Sequence, residues 1–265
     1  MEPGRLPFQP RHALLTGAAG AIGGALARAL VRRHPELRLT LVDRDAAGLM
    51  PLQAERPEHS LALPCDLSAL ATLPELWARS TARFGAVDLL INCAGFMEIR
   101  SFAATPWELG ERLLTVDLVA PLRLMKLAVD GMPAAGGSIV NISSLAGRVP
   151  LRGCSYYGAA KSGLALASQI AGLELRERGI HVLTVLPGPV ASRLEARARA
   201  QVRPGFASRH IPTGDPETLA RRIVQALARG RSRLVYPGVY ALADRCLGLS
   251  SAFAAAFSPP PTDAP

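Results

Sequence analysis

The sequence is short of lysine, of metal-binding patterns and of long apolar runs. Of its 30 basic residues only two are lysines, Lys126 and Lys161, and the others are arginines. Its 4 cysteines lie far apart, without a Cys-x-x-Cys pair or a histidine at metal-ligand spacing, so the sequence predicts neither a zinc site nor a disulfide framework. Free thiols suit a reducing compartment, and we therefore expect a cytoplasmic protein.

Apolar segments of membrane-spanning length are also missing. No run of about 18 uninterrupted apolar residues occurs, and residues 1–12 lack the apolar core of a signal peptide. The nearest candidate is residues 239–257, which Asp244 and Arg245 interrupt. We interpret this segment as a helix that packs on a partner subunit, lines a substrate entrance or touches a membrane surface, and the sequence leaves these three alternatives open.

The charge balance is strongly basic, with a net charge of +9 at pH 7. A basic protein can bind nucleic acid or an anionic membrane surface. The arginines, however, are spread along the chain in runs no longer than two and without interleaved aromatic residues. We therefore expect a solvated basic surface and no nucleic-acid partner.

Apolar strands alternate with helical segments along the chain. The predicted strands are residues 13–16, 37–42, 61–65, 87–92, 138–142, 180–186 and 233–236, and the predicted helices include 70–84, 105–132, 155–178 and 216–229. Continuous apolar strands separated by helices are typical of a parallel sheet with helices on both faces. The sequence therefore predicts a single α/β domain over residues 1–257 with a doubly wound parallel sheet. The 4 prolines among residues 258–265 predict a disordered tail.

A glycine-rich loop follows the first strand and leads into a helix. Its sequence is Gly17-Ala18-Ala19-Gly20-Ala21-Ile22-Gly23. Glycine allows the backbone to approach a pyrophosphate, whose charge then lies at the helix N-terminus. Because the spacing differs from G-x-G-x-x-G, a tight turn without a ligand is the alternative interpretation.

The end of the second strand bears on the choice of nucleotide. Asp43 is placed to accept hydrogen bonds from an adenosine ribose and to repel a 2′-phosphate, which favours NAD over NADP. Arg44 beside it could instead fold over that phosphate. The glycine loop itself contains no basic residue, which again favours NAD.

Residues 141–161 contain a candidate catalytic set. Tyr157 and Lys161 are four residues apart on a predicted helix, so they share one face. A nearby cation favours phenolate and lowers the pKa of tyrosine from its usual value of about 10. Ser144, at the end of the preceding strand, could hold a substrate oxygen against that phenol. Since lysine is so rare here, we expect Lys161 to have a role that needs the compact ammonium of lysine and not the planar guanidinium of arginine.

Taken in order, these features resemble the short-chain dehydrogenase/reductase family in its compact single-domain form. The resemblance extends over residues 11–236 and rests on Thr16-Gly17 to Gly23, Asp66-Leu67, Asn92-Cys93-Ala94-Gly95, Asn141-Ile142-Ser143-Ser144, Tyr157 to Lys161, and Pro187-Gly188. It implies a Rossmann-like sheet of about seven strands and reversible hydride transfer between NAD or NADP and a secondary alcohol or ketone. It also implies a homodimer or homotetramer, by analogy alone.

The resemblance implies a role for each matching residue. Ser144, Tyr157 and Lys161 would be catalytic, with Tyr157 as the general acid/base. The residues implied to bind the cofactor are Gly17, Gly20, Ala21, Ile22, Gly23, Asp43, Arg44, Asp66, Leu67, Asn92, Ala94, Gly95, Tyr157, Lys161, Pro187, Gly188, Val190 and Ser192. No metal is implied.

Two departures from the family pattern keep alternatives open. Ala21 replaces the usual middle glycine, and Gly20 shifts the spacing toward longer members that include epimerases and dehydratases. Asp117 occupies the place of a family Asn that is associated with the proton relay from the catalytic lysine. Its negative charge would stabilise Lys161 and partly offset the effect of Lys161 on Tyr157, so we count Asp117 among the catalytic candidates and expect an altered pH optimum. A cofactor-binding regulatory protein without turnover is the remaining alternative.

Overall fold

The computed structural model of the protein describes residues 9–203 and 212–263. Within these ranges seven strands form one sheet in the order β3-β2-β1-β4-β5-β6-β7, and neighbouring strands are parallel throughout. The strands are β1 (His12–Thr16), β2 (Arg38–Asp43), β3 (Ser60–Pro64), β4 (Leu89–Asn92), β5 (Gly137–Ile142), β6 (Ile180–Pro187) and β7 (Arg233–Tyr236). The predicted doubly wound, Rossmann-like α/β sheet is confirmed.

The helices connect successive strands and cover the sheet. They are α1 (Ala21–Arg33), α2 (Ala46–Ala54), α3 (Leu73–Phe84), α4 (Trp107–Leu114), α5 (Ala120–Gly131), α6 (Ser155–Glu174), α7 (Arg193–Ala200), α8 (Pro216–Ala228), α9 (Tyr240–Arg245) and α10 (Leu247–Phe257). Short 3₁₀ turns occur at Leu70–Thr72 and Leu145–Gly147. None of the helices in the described ranges combines the length and the apolarity needed to cross a membrane.

The predicted helix over residues 105–132 is interrupted in the structure. Its two halves, α4 and α5, are joined by a π-helical turn at Thr115–Val119. A π turn accommodates one residue more than an α turn and is frequent at functional sites. Here the turn contains Asp117, which is completely buried.

Two apolar cores flank the sheet because successive strand residues point to opposite faces. Leu15 of β1 and Ile91 of β4 pack with α1 and α8, whereas their neighbours Leu14 and Leu90 pack with α3 and α5. All four side chains are at most 1% exposed. Burial of one such side chain contributes about 1.5–3 kcal/mol to folding. Packing on both faces therefore stabilises the central strands, whose carboxyl ends form the site.

The C-terminal segment forms hydrogen bonds with the rest of the chain through residue 263, while the disorder expected for residues 258–265 stays a prediction. Thr262 N donates to Gln201 O at 2.9 Å, and Asp263 Oδ1 accepts a hydrogen bond from Ser101 N at 3.0 Å. Pro260 O also accepts a hydrogen bond from Arg203 N at 3.0 Å. Prolines lack an N–H donor but keep their carbonyl acceptor, so this segment is anchored despite its composition. Residues 264 and 265 lie outside the described residues.

Candidate active site

The carboxyl ends of β1 and β4 open a crevice in the middle of the sheet. The chain runs outward from β1 to β2 and β3 and then returns to β4 on the other side of β1, which makes this the topological switch point where ligands bind. Thr16 Oγ1 accepts hydrogen bonds from Cys93 N and Ala94 N, each at 3.1 Å. This side chain therefore fixes the two strand ends relative to each other.

The glycine loop needs its glycines for close backbone contacts. Gly17 has φ 71°, and a Cβ there would lie 2.7 Å from Ala94 N. A Cβ at Gly23 would lie 2.0 Å from Gly17 O, so α1 can begin directly against the loop only without that atom. No side chain caps the N-terminus of α1, which leaves its first N–H groups without an intrahelical or side-chain acceptor. These residues line the cleft. This cradle fits the phosphates of a dinucleotide.

Asp43 lies at the end of β2 beside the glycine loop. Its Oδ2 accepts a hydrogen bond from Ala19 N and its Oδ1 one from Asp45 N, both at 3.0 Å. These bonds orient the carboxylate within the cleft, while the neighbouring Arg44 is exposed. Asp43 is therefore held in position by the backbone, and Arg44 is not.

Asp66 and Leu67, which follow β3, line the cleft. Asp66 Oδ1 accepts from Ser68 N at 2.9 Å, and Oδ2 forms an ion pair with Arg112 at 3.1 Å. The hydrogen bond from Ser68 N, more than the Arg112 charge, keeps the pKa of Asp66 below its usual value. The carboxylate is therefore ionised and available to a nucleotide.

Asn92, at the end of β4, points its side chain away from the cleft lining. Its side chain is buried and donates to Asn141 Oδ1 at 2.8 Å, and Asn141 in turn donates to Ser168 Oγ at 2.8 Å. This network links β4, β5 and α6 behind the cleft. The following residues Ala94 and Gly95, by contrast, do line it.

The turn after β6 forms the other end of the cleft. Pro187, Gly188, Val190 and Ser192 all line it. Ser192 Oγ accepts from Glu195 N at 3.1 Å and thereby caps α7. A Cβ at Gly188 would lie 2.9 Å from the ring of Tyr240, so this turn is also in contact with α9.

The catalytic candidates come together at the start of α6. Tyr157 and Lys161, one helical turn apart, are 8% and 4% exposed, and Lys161 Nζ lies 5.7 Å from the centre of the Tyr157 ring. Ser144 follows β5 and interacts with the Tyr157 hydroxyl. Ser143 Oγ donates to Lys161 O at 2.6 Å, which ties α6 to the end of β5. The structure therefore brings Ser144, Tyr157 and Lys161 into one site.

Asp117 forms a buried ion pair with Lys161. Asp117 Oδ1 and Lys161 Nζ are 2.8 Å apart, with side-chain exposures of 0% and 5%. Asp117 Oδ2 accepts from Phe96 N at 3.2 Å, and Lys161 Nζ donates to Ile142 O at 3.2 Å. A Cβ at Gly95 would lie 2.4 Å from Asp117 Oδ1, so the glycine provides the space for the pair.

Burial and charge oppose each other at these groups. Burial raises the pKa of Tyr157, Lys161 lowers it, Asp117 raises it and the Ser144 hydrogen bond lowers it, with a raised pKa as the result. Burial alone would lower the pKa of Lys161, but the Asp117 carboxylate raises it, so Lys161 remains a cation. Burial also raises the pKa of Asp117 against the effect of Lys161. The expectation that Lys161 lowers the pKa of Tyr157 below its ordinary value is not met in the protein alone.

The remaining part of the cleft is walled by apolar residues. The whole cleft has a volume of about 1970 Å³. Its apolar lining beyond the catalytic residues comes from the segment after Gly95, the loop after Ser144 and the C-terminal helices, and includes Met97, Leu109, Val149, Leu151, Leu247 and Phe253. Of residues 239–257, whose role the sequence left open, six line this part of the cleft: Tyr240, Asp244, Leu247, Ser250, Phe253 and Ala254.

Two thiols near the site are poor nucleophiles. Burial raises the pKa of Cys154 to about 11 and that of Cys93 to about 12. Neither is a thiolate at neutral pH, so they act as small apolar side chains. Within residues 9–203 and 212–263, no group of three or more His, Cys, Asp or Glu residues is arranged to hold a metal ion.

Sequence reasoning did not identify two ion pairs that line the cleft. Glu98 forms an ion pair with Arg197, and Arg148 pairs with Asp244 at 3.3 Å. The partners of each pair lie about a hundred residues apart in the sequence. No local pattern joins them, so only the folded chain identifies them.

A parallel sheet with a glycine cradle at its switch point and a Ser–Tyr–Lys set beside it defines a nicotinamide-dependent oxidoreductase. The family model for short chain dehydrogenase matches residues 11–203. The cis-4-hydroxycyclohexanecarboxylate dehydrogenase of Sinomonas cyclohexanicum is 33% identical over 82% of this chain and 88% of its own length. Carbonyl reductase family member 4 of Xenopus tropicalis is 31% identical over 78% of this chain and 87% of its own length.

Solved structures agree with these relatives. A short-chain dehydrogenase from Sphingobium yanoikuyae in complex with NADPH superposes with a TM-score of 0.76 at 30% identity, covering 93% of this chain and 96% of that one. The protein belongs to the short-chain dehydrogenase family. It is therefore an oxidoreductase that acts on CH–OH or C=O groups with NAD or NADP.

Proposed function

We propose that the protein transfers a hydride reversibly between NAD(H) and a secondary alcohol or ketone, with Tyr157 as the proton donor in reduction. The observation that carries this proposal is the assembly of Ser144, Tyr157 and Lys161 in the cleft that also contains the glycine cradle. The non-catalytic alternative loses support, because a protein without turnover would have no need to keep all three side chains together in the cleft. The epimerase or dehydratase alternative rests on glycine spacing alone.

The chemistry assigns one task to each side chain. The bound nicotinamide supplies the hydride in reduction and accepts it in oxidation. As the new C–H bond forms at the carbonyl carbon, the C=O electron pair moves to oxygen, and Tyr157 transfers its hydroxyl proton to that oxygen. Ser144 donates a hydrogen bond to the same oxygen, and the ammonium of Lys161 stabilises the tyrosinate left behind.

The raised pKa of Tyr157 suits the reductive direction. At neutral pH the side chain is a phenol and can donate its proton. Oxidation needs the phenolate, so it requires additional positive charge or a higher pH. We therefore expect ketone reduction to operate at neutral pH and alcohol oxidation to increase toward alkaline pH.

We further propose NAD as the preferred cofactor. The two oxygens of Asp43 are held by backbone N–H groups beside the glycine loop, where a 2′-phosphate would meet a fixed negative charge. Arg44 is the residue that would favour NADP, and it is exposed. The Sphingobium relative is in complex with NADPH, which makes NADPH the comparison for NADH in the binding experiment.

Cyclic secondary alcohols are the substrates to test first. The Sinomonas relative is named for a hydroxylated cyclohexanecarboxylate. The walls around Val149, Leu247 and Phe253 offer this chain an apolar surface for a carbocyclic body.

We also propose that the protein forms a homodimer or homotetramer. The outer face of α6 exposes Leu166, Ile170 and Leu173 by 60%, 46% and 80%, and Val119 beside it is 40% exposed. Residues at this spacing form one apolar stripe. A second copy of α6 would cover such a stripe with an identical one, as two-fold symmetry requires.

The test combines binding and turnover. NADH and NADPH are titrated separately, following cofactor fluorescence and thermal stabilisation, and we expect NADH to bind at least about tenfold more tightly because Asp43 opposes the 2′-phosphate. The variant Tyr157→Phe is expected to bind NADH as the wild type does but to lose about 10²- to 10⁴-fold in kcat for ketone reduction.

Each outcome has a defined meaning. Preference for NADPH would show that Arg44 determines the nucleotide and would reject the NAD proposal. Undiminished turnover by Tyr157→Phe would reject Tyr157 as the proton donor. Binding of neither nucleotide would contradict the proposed reaction as a whole.

A further inference from the structure

Three charged residues form an unbalanced cluster on the substrate side of the cleft. In this arginine–aspartate cluster, Arg148 Nε contacts Asp244 Oδ1 at 3.3 Å, and Arg233 Nη2 contacts both oxygens of Asp244. The side chains of Arg148, Asp244 and Arg233 are 26%, 8% and 35% exposed. Two guanidinium groups therefore share one largely buried carboxylate, which leaves one positive charge without a counter-ion.

The cluster lies close to the reacting groups. Arg148 follows the 3₁₀ turn Leu145–Gly147, and Ser144 caps the start of that turn. Asp244 lies one turn after Tyr240 on α9, and the Tyr240 ring packs against Gly188. Arg148 and Asp244 line the cleft together with Ser144 and Tyr157. Arg233 belongs to β7 and approaches Asp244 from outside the cleft lining.

The Nη groups of Arg148 are available as hydrogen-bond donors. Arg148 uses Nε toward Asp244, and in the described parts of the chain neither of its Nη atoms has a hydrogen-bond partner. A guanidinium with free Nη groups can bind a carboxylate through parallel N–H···O bonds. Asp244 also pairs with Arg233, so it has a second cationic partner besides Arg148.

Two other arginines on this side of the cleft form ion pairs, and a third is exposed to solvent. Arg197 pairs with Glu98, and Arg199 pairs with Glu195 at 2.6 Å. Arg152 is exposed and donates to a backbone carbonyl, Ala255 O, at 3.4 Å. Arg148 therefore differs from Arg197 and Arg199, which have carboxylates of their own, and from Arg152, whose side chain is exposed and more readily hydrated.

We propose that Arg148 binds an anionic group of the substrate, and that the substrate is an oxo or hydroxy acid whose carboxylate is separated from the reacting carbon by an apolar body. This inference rests on the proposed function and specifies its substrate class. A carboxylate against Arg148 would supply the missing counter-ion. The apolar body would contact Val149 and Leu247, and the carbonyl would face Tyr157.

The test compares one ring with and without its charge. The probes are 4-oxocyclohexanecarboxylate and its methyl ester, assayed by NADH consumption. For the wild type we expect kcat/KM to be at least about tenfold higher for the acid, since a charge-assisted hydrogen bond contributes more than a neutral one. In Arg148→Gln this preference falls to about one through a higher KM for the acid, while kinetics with the ester stay within about twofold of the wild type.

Two further variants separate local recognition from overall charge. Arg148→Lys keeps the positive charge but loses the planar guanidinium, so we expect its preference for the acid to lie between those of Arg148→Gln and the wild type. Arg229→Gln removes one positive charge at the end of α8, outside the cleft lining, and is expected to keep the full preference for the acid.

The outcomes distinguish this proposal from the proposed function. Reduction of both probes without a preference for the acid, or a preference that survives Arg148→Gln, overturns the role of Arg148 and leaves the hydride-transfer function intact. If neither probe is reduced, binding of cyclohexanecarboxylate and its methyl ester to the protein–NAD complex is measured by calorimetry. Equal or absent binding of the acid in wild type and Arg148→Gln likewise overturns the proposal.

Discussion

At the scale of single residues, Asp117 determines the electrostatics of the site. Its carboxylate lies 2.8 Å from Lys161 Nζ, and both groups are buried. It therefore holds Lys161 as a cation while it opposes ionisation of Tyr157. Only the glycine at position 95 leaves room for this arrangement, because a Cβ there would overlap Asp117 Oδ1.

Replacing Asp117 by asparagine is expected to shift the pH dependence of alcohol oxidation. The carboxylate raises the pKa of Tyr157, so its removal lowers that pKa and moves the alkaline rise of kcat/KM to lower pH. We expect a shift of about one pH unit, equivalent to about 1.4 kcal/mol. The measurement is the pH–rate profile of alcohol oxidation from pH 6 to pH 10.

The control for this experiment is Asp130→Asn. Asp130 is an exposed carboxylate on α5 that pairs with Lys126 at its surface, so this variant changes the net charge equally without touching the site. Its profile is expected to match the wild type. An Asp117→Asn profile that also matches the wild type would contradict the assigned role of Asp117.

At the scale of elements, α6 serves two surfaces. Its inner face carries Tyr157 and Lys161, and its outer face carries the apolar stripe of Leu166, Ile170 and Leu173. A twenty-residue helix presents both faces because side chains three and four positions apart align. Association through the outer face would therefore also restrain the helix that positions the catalytic pair.

Charge placed on this stripe is expected to weaken self-association. Leu173→Glu would bury a carboxylate against an apolar partner surface, which costs several kcal/mol, so the variant should have a smaller mass than the wild type in sedimentation at equal concentration. The matched control is Met50→Glu on α2, where the side chain is 65% exposed on a different surface. A wild-type protein that sediments as a monomer, or a Leu173→Glu variant of unchanged mass, would refute the proposed interface.

At the scale of the whole molecule, a buried polar network lies at the amino ends of the central strands, whereas the cleft lies at their carboxyl ends. His12 Nδ1 contacts Gly85 O at 2.9 Å, and Nε2 contacts Thr40 Oγ1 at 3.0 Å and Ser80 Oγ at 3.2 Å. Burial lowers the pKa of His12, and the charge of Arg38 lowers it further. Folding therefore disfavours the protonated form of this histidine.

This network makes global stability depend on pH. The unfolded chain binds a proton on His12 with a pKa of about 6.5, whereas the folded state does so only at lower pH. Stability from this source is complete above pH 6.5 and is lost as the pH falls below it. Between pH 7.5 and pH 5.5 we expect the wild type to lose about 1 kcal/mol more of its unfolding free energy than His12→Gln.

Urea unfolding at both pH values measures this difference. The comparison of wild type with variant cancels the contribution of Asp88, whose pKa is raised by burial and which holds His12 N at 3.1 Å. Equal pH dependence in the two proteins would exclude His12 as its source.

Local patterns in the sequence were enough to predict the strand and helix alternation, the glycine loop and the spacing of Ser144, Tyr157 and Lys161. These features depend on local periodicity and on separations of a few residues, which can be read from the sequence without knowledge of tertiary contacts. Only the tertiary structure decided that Asn92 lies behind the cleft, that a π turn directs Asp117 onto Lys161, and that Arg148 shares Asp244 with Arg233. Such contacts join residues distant in sequence, so packing of the whole chain and not local propensity determines which side chains meet.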